Sequence, residues 1–246
     1  MKRKYNLGFI SDEDIYKHVK DTVSKYEKYI NLDSFNSNLI DPIKLTFDAK
    51  IYSKTFEQIV ESECIRQIDK SNTNHIGYFH QNLFKYVGNG WIVPDKGFDV
   101  VNEEKKIYVE MKNKHNTMNS SSAQATYMKM QNQLLKDSES TCMLVEVIAT
   151  KSQSIVWEAS LNGTKYKNEK ILRVSIDKFY EIVFGDSEAF LKLCKALPNI
   201  LDDIMEEVKE AKINNTVLDE LHKISSDTFK SLYLLAFKTY EGFDKF

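Results

Sequence analysis

Gly97-Phe98-Asp99-Val100-Val101-Asn102-Glu103-Glu104-Lys105-Lys106-Ile107-Tyr108-Val109-Glu110-Met111-Lys112 reads as a tight β-hairpin with an acid on each arm and a lysine beside one of them. With Glu104-Lys105 as the loop, Glu103 faces Lys106, and the same register sets Asp99 across from Glu110. Directly opposed side chains on one sheet face lie roughly 4.5–5.5 Å apart at Cβ, and two opposed carboxylates repel unless a positive charge sits between them. A divalent cation removes that penalty. The period of two sends Tyr108, Glu110 and Lys112 to one face and Ile107, Val109 and Met111 to the other, into a core. Paired carboxylates with positions left for water and phosphate suit magnesium. Lys112 then stands beside the metal-bound water, where it can orient that water and stabilise charge on the phosphorus oxygens.

The pattern Glu-x-Lys alone decides nothing, because it starts at five places: Glu103, Glu104, Glu110, Glu207 and Glu210. Only Glu110 sits in an alternating apolar strand with an aspartate opposite. The competing reading is a solvent-facing polar strand face, which half-buried sheets normally show. The stretch after the hairpin, Asn113-Lys114-His115-Asn116-Thr117-Met118-Asn119-Ser120-Ser121-Ser122, has no apolar periodicity and is crowded with hydrogen-bonding side chains. Such groups, with backbone N–H at helix N-termini, make most phosphate contacts in DNA complexes. One of Asn119 to Ser121 is expected to cap a helix over Ala123–Leu135.

Over Gly97 to Leu135 the chain resembles the PD-(D/E)XK nuclease superfamily, and more narrowly the type II restriction endonucleases, with a likeness to the group that cuts GGNCC. Asp99, Glu110 and Lys112 fall on the family's aspartate, acidic residue and lysine. The resemblance implies that the acids bind Mg2+, that the lysine assists the water, and that hydrolysis of double-stranded DNA leaves a 5′-phosphate. Phe98 stands where the family often has proline. Pro94-Asp95 makes Asp95 a rival, but only Asp99 pairs with Glu110 by register. The family commonly adds an acid from a preceding helix. Thr55–Ile68 is amphipathic, with Phe56, Val60, Cys64 and Ile68 along one stripe and Glu57, Glu61 and Glu63 on its flanks; Glu61 is the candidate metal ligand, and the sequence leaves the choice among the three open. Expected DNA contacts are Lys114, His115, Asn116, Asn119, Ser121 and Gln124, with Lys112, Lys114 and Lys129 in a basic cleft.

The 246 residues fit one endonuclease domain, 1–246, with a mostly helical N-terminal region (1–90), a catalytic α/β core (91–185) and a helical C-terminal region (186–246). The expected fold class is α/β, a restriction-endonuclease-like mixed central sheet flanked by helices. A net charge of −2 argues against coating nucleic acid by bulk charge but leaves room for a basic cleft. Cys64, Cys142 and Cys194 lie far apart in apolar patterns and read as buried thiols rather than disulfides or a zinc site. Asp12, Glu13 and Asp14 follow the basic Met1–Lys4 too soon for a secretory segment, and no run approaches a membrane span, so a cytoplasmic location is expected. His75 and His80, beside Tyr78 and Phe79, read as structural. A homodimer is expected, because a symmetric site presents two scissile phosphates to two active sites. The alternatives are a repair or junction-resolving nuclease on the same fold, or a non-catalytic DNA-binding protein.

Along the chain, residues 10 to 40 carry helical spacing with Ile15, Val19, Val23, Tyr26 and Ile30 as a stripe. A helix at 54–69, a polar turn at Ser71–Asn74 and a short helix near Tyr78–Tyr86 follow. Strands are expected at Trp91–Val93, Thr141–Ala149 and Ile171–Ser175, a helix at Ile176–Phe184, and a last helix from about Val217 to Tyr240.

Overall fold

In the computed structural model, which describes all residues other than 1–3, 38, 116–117, 162, 209–212, 242 and 244–246, the chain opens with α1 (Asp12–Ser24), β1 (Tyr29–Ile30), α2 (Leu32–Asn36), α3 (Pro42–Ile51) and α4 (Phe56–Leu83). After a 3-10 turn at Phe84–Tyr86 come β2 (Trp91–Ile92), β3 (Val100–Asn102), β4 (Ile107–Lys114), α5 (Ser120–Lys136) and β5 (Thr141–Ile148). The rest comprises β6 (Ser154–Val156), β7 (Ala159–Leu161), β8 (Thr164–Tyr166), β9 (Ile171–Ser175), α6 (Ile176–Phe184), α7 (Ala189–Glu207), β10 (Asn214–Asn215), α8 (Val217–Ile224) and α9 (Thr228–Phe237). These elements form two compact units, each from discontinuous chain: 1–24 with 75–207, and 25–74 with 208–246.

The first unit is built on a six-stranded sheet of order β2-β3-β4-β5-β9-β6. The pairs β2–β3, β3–β4 and β9–β6 are antiparallel, while β4–β5 and β5–β9 are parallel, so the sheet is mixed as expected. Strand β4, helix α5 and strand β5 make the parallel crossover unit. On one face, α5 buries Tyr127 and Met130 against Cys142, Leu144 and Ile171 near the start of the parallel strands. Asn119 caps α5, its side chain accepting from the Ser122 N–H at 2.8 Å. Gly185, at φ 69, ends α6 in the left-handed conformation that a residue without Cβ takes at little cost. No helix among the described residues is long and apolar enough to cross a membrane.

The second unit packs Phe35, Leu45, Val60, Cys64, Val217, Leu221 and Leu232 into its own core. The stripe predicted on the helix at 54–69 is that of α4: Val60, Cys64 and Ile68 are buried and Phe56 partly so. A short parallel pair, Tyr29↔Asn214 and Ile30↔Asn215, joins distant stretches of the chain.

Several expectations are corrected. The helical spacing over 10 to 40 is interrupted after Ser24 and resumes only in the short α2; Ile30 is in β1, where a partner strand competes successfully for its backbone hydrogen bonds. Ser71-Asn72-Thr73-Asn74 is not a turn but lies within the 28-residue α4. Ser, Thr and Asn each cost a helix only some tenths of a kcal/mol, about 0.5, and none removes a hydrogen bond as proline does. Pro198 lies inside α7, where Leu193, Ile200 and Ile204 are buried. The final helix divides into α8 and α9 because the Asp227 carboxylate accepts from the Phe229 and Lys230 N–H groups and starts a new helix. Strands β6, β7 and β8 add to those expected. Cys64 and Cys142 are buried, but Cys194, on α7, is exposed.

His80 supports its structural reading. Its Nδ1 is buried without a hydrogen-bond partner among the described residues. Burial, with His18 nearby, pushes its pKa down to about 4. A histidine held neutral in the folded state contributes stability that is present above its unfolded value of about 6.5 and is lost as pH falls toward 4. Urea unfolding should therefore show about 2 kcal/mol lower stability at pH 5 than at pH 7, and His80→Phe should remove that difference. An unchanged pH dependence in the variant would assign the acid sensitivity elsewhere.

Candidate active site

The hairpin forms in the expected register. Val100 pairs with Val109, Val101 with Tyr108 and Asn102 with Ile107, so one further step sets Asp99 opposite Glu110. The strands separate earlier than expected at the loop end, leaving a four-residue connection, Glu103 to Lys106. Lys106 takes a positive φ of 53, and its N–H donates to the Glu103 carbonyl at 3.1 Å. Asn102, fully buried, organises this turn by accepting from the Lys105 N–H at 2.9 Å.

Asp99 itself lies just outside β3, yet it is fixed to β4 twice. Its backbone N–H donates to the Val109 carbonyl at 2.9 Å, and its Oδ2 accepts from the Met111 N–H at 2.7 Å. From the last turns of α4, Gln81 Nε2 donates to the Asp99 carbonyl at 3.2 Å. Asp95, the rival, is exposed. Phe98, in the place where the superfamily often has proline, packs on Tyr108, with ring centroids 5.4 Å apart, and carries the Lys129 ammonium 4.6 Å from its ring centre.

Glu110 is only 7% exposed. Burial pushes its carboxyl above the usual range; a hydrogen bond from Lys129 opposes this, and the Asp99 charge adds to it. Lys129, reaching in from α5, ion-pairs with Glu110 and also donates to the Gly97 carbonyl at 2.7 Å. It lines a groove of about 620 Å³ between the hairpin and α5, together with Phe98, Tyr108 and Met128. The sequence pattern places Lys129 only in a general basic cleft; its pairing with Glu110 has no local signature.

Lys112, half-buried, stands two positions beyond Glu110 on the same face of β4, level with Glu146 of the neighbouring parallel strand. The structure thus brings Asp99, Glu110 and Lys112 together at the C-terminal ends of parallel strands, the position where open α/β sheets bind ligands. Among the remaining predicted residues, Lys114 is exposed at the end of β4, His115 follows it, and Ser121 is exposed on the first turn of α5. Gln124 is half-buried one turn later, and the Asn119 side-chain oxygen is committed to the cap. Asn116 lies outside the described residues.

The acids of α4 differ in their commitments. Thr228 donates to Glu57 Oε1 at 2.6 Å and holds that carboxyl below the usual range. Glu63 receives Arg66 through Nε at 2.6 Å and Nη2 at 2.5 Å, with Gln67 at 3.0 Å. Glu61 is exposed, with no hydrogen bond or ion pair among the described residues. These three positions fall in the second unit. Among the described residues no three His, Cys, Asp or Glu side chains gather as a ready-made metal cage. Two carboxylates completed by water and substrate phosphate are, however, an ordinary donor set for Mg2+.

The family model described as Eco47II restriction endonuclease matches residues 7–206. The chain is 31% identical to the type II restriction enzyme Sau96I of Staphylococcus aureus, over 95% of its own length and 99% of that relative's. It is 32% identical to the type II restriction enzyme Eco47II of Escherichia coli, over 82% of its length and 89% of that relative's. The matches span the hairpin, the crossover unit and the helices around them. The chain therefore belongs to the Eco47II restriction endonuclease family, and it is a type II site-specific deoxyribonuclease.

Proposed function

We propose that the Asp99–Glu110–Lys112 face hydrolyses phosphodiester bonds in double-stranded DNA with Mg2+, as one endonuclease domain over 1–246. The observation that carries this is the juxtaposition of a buried Glu110 with Asp99 on one side and Lys112 on the other, at the open end of the parallel strands. A buried acid whose protonation is favoured by burial and by a neighbouring carboxylate calls for a positive charge, and Lys129 meets that need in the chain alone. The donor chemistry fits a hard divalent ion held by Asp99 and Glu110. When bound, the ion supplies Lewis acidity and a lowered water pKa.

Lys112 orients the attacking water and stabilises negative charge on the phosphoryl oxygens, leaving a 5′-phosphate. Lys114, His115, Ser121, Gln124, Asn119 and Asn116 contact DNA, the N-terminus of α5 offering N–H groups and a favourable dipole to phosphate. The recognition sequence is GGNCC, and a homodimer presents two such faces to the two strands. A cytoplasmic location goes with this activity.

Digestion of unmethylated plasmid tests the reading. Discrete fragments with 5′-phosphate ends at GGNCC in the presence of Mg2+, and none with EDTA, are expected. Fragments mapping to another sequence would remove only the site assignment. Intact DNA with metal supplied would remove the catalytic reading of this face.

A further inference from the structure

The active face carries a second charged group that the hydrolytic scheme leaves unused. Glu146 of β5 is 1% exposed and level with Lys112. Taking a carboxylate that far out of water costs several kcal/mol unless it is paired and hydrogen-bonded. Two side chains from different elements meet it: Arg173 of β9, whose Nη2 lies 3.0 Å from Oε1, and His115, whose Nδ1 lies 2.9 Å from Oε2 and 3.0 Å from Oε1.

The two partners are not equivalent. Arg173 is permanently charged and by itself balances the carboxylate. It is largely buried, 5.9 Å from the Trp157 ring centre. The histidine is therefore surplus to the charge balance. It is nevertheless held firmly, since its backbone N–H donates to the Ile148 carbonyl at 2.8 Å. A carboxylate only accepts, so Nδ1 carries the proton and Nε2 is the atom of the ring left for another partner. The side chain keeps 23% of its exposure, three residues beyond Lys112 at the same end of the sheet. A carboxylate at Nδ1 fixes the ring's orientation, and an imidazolium held in this way presents its second N–H as a donor suited to phosphate.

We propose that Glu146 is a positioning residue for DNA cleavage, holding His115 by Nδ1 so that Nε2 contacts a backbone phosphate of the bound duplex beside the scissile one, with Arg173 balancing the buried carboxylate. This rests on the nuclease reading of the neighbouring face.

The test measures binding of a duplex carrying the mapped site, with Ca2+ replacing Mg2+, over a range of salt concentrations, for wild type, His115→Ala, Glu146→Gln and the double variant. His115→Ala is expected to weaken binding about tenfold and to lower the slope of log Kd against log salt by about 0.9, the signature of one lost phosphate contact. Glu146→Gln should move both quantities in the same direction by a smaller amount, and the double variant should match His115→Ala within about twofold, as a residue acting through another requires. Glu146→Asp keeps a negative charge while shortening its reach, and should move both quantities in the direction of the His115→Ala change without exceeding it, even if the glutamine variant folds poorly. Unchanged affinity and slope in His115→Ala, or a cost of Glu146→Gln that is undiminished in the His115→Ala background, would overturn the proposal. Wild-type protein that cuts DNA while His115→Ala binds and cuts equally well removes this inference alone, whereas wild type that cuts nothing removes the reading beneath it.

Discussion

Replacing Lys112 with alanine is expected to lower the single-turnover rate of DNA cleavage by about 10³-fold, the range for losing a group that acts on the water and on developing phosphoryl charge. Duplex affinity in Ca2+ should change by no more than about threefold, because one phosphate contact among many is at stake. The melting temperature should stay within about 2 °C, since Lys112 is half-buried and neither fills the core nor caps an element. Lys112→Arg should not restore the rate, because a planar guanidinium cannot take the place of a compact ammonium beside a water. The decisive pair of readings is rate and affinity on the same preparation. A residual rate within about tenfold of wild type would show that the lysine takes no part in the chemistry.

Glu110→Gln should separate function from stability. On the proposed reading of Asp99 and Glu110 as the metal-holding pair, removing one carboxylate forfeits several kcal/mol of charge stabilisation in the transition state, so cleavage should fall by more than about 10³-fold. Stability should move the other way. Burial raises the Glu110 pKa above its ordinary value of about 4.5. A carboxyl with a raised folded-state pKa contributes most when protonated, below 4.5, and that contribution is lost as pH rises through the folded value. At pH 7 the ionised, buried Glu110 is thus a cost that Lys129 only partly offsets. The neutral glutamine should melt at or above the wild-type temperature at pH 7, with the difference shrinking as pH falls toward 4.5. Lys129 can turn its partly exposed ammonium to water in the variant. Melting curves at the two pH values check this; a variant that melts several degrees lower at pH 7 would make Glu110 a structural residue first.

Much of this site was legible because its signals are local. A period of two over Ile107–Lys112 places Glu110 and Lys112 on one face whatever surrounds them, and the turn at Glu103–Lys106 carries Asp99 to its position by counting. The connection is four residues long rather than two, yet the register is unaffected, because extending a loop symmetrically leaves every later pair in place. The stripe of Val60, Cys64 and Ile68 and the Asn119 cap are readable for the same reason. Expectation fails where a locally weak stretch mimics a break: polar residues lower helix propensity slightly, and α4 runs through them unbroken.

By itself, then, the sequence determined the mixed sheet with its crossover helix, the pairing of Asp99 with Glu110, and the placing of Lys112 beside them, since each follows from backbone periodicity and turn geometry within one short segment. Only the tertiary structure decided that Lys129 pairs with Glu110, that Glu146 is buried between His115 and Arg173, and that β1 finds its partner in β10. Those contacts join residues far apart in the chain. Their energy comes from the pairing of charges that burial has taken out of water and from the pairing of strand edges, which arise only when separate elements meet, and no local periodicity encodes them.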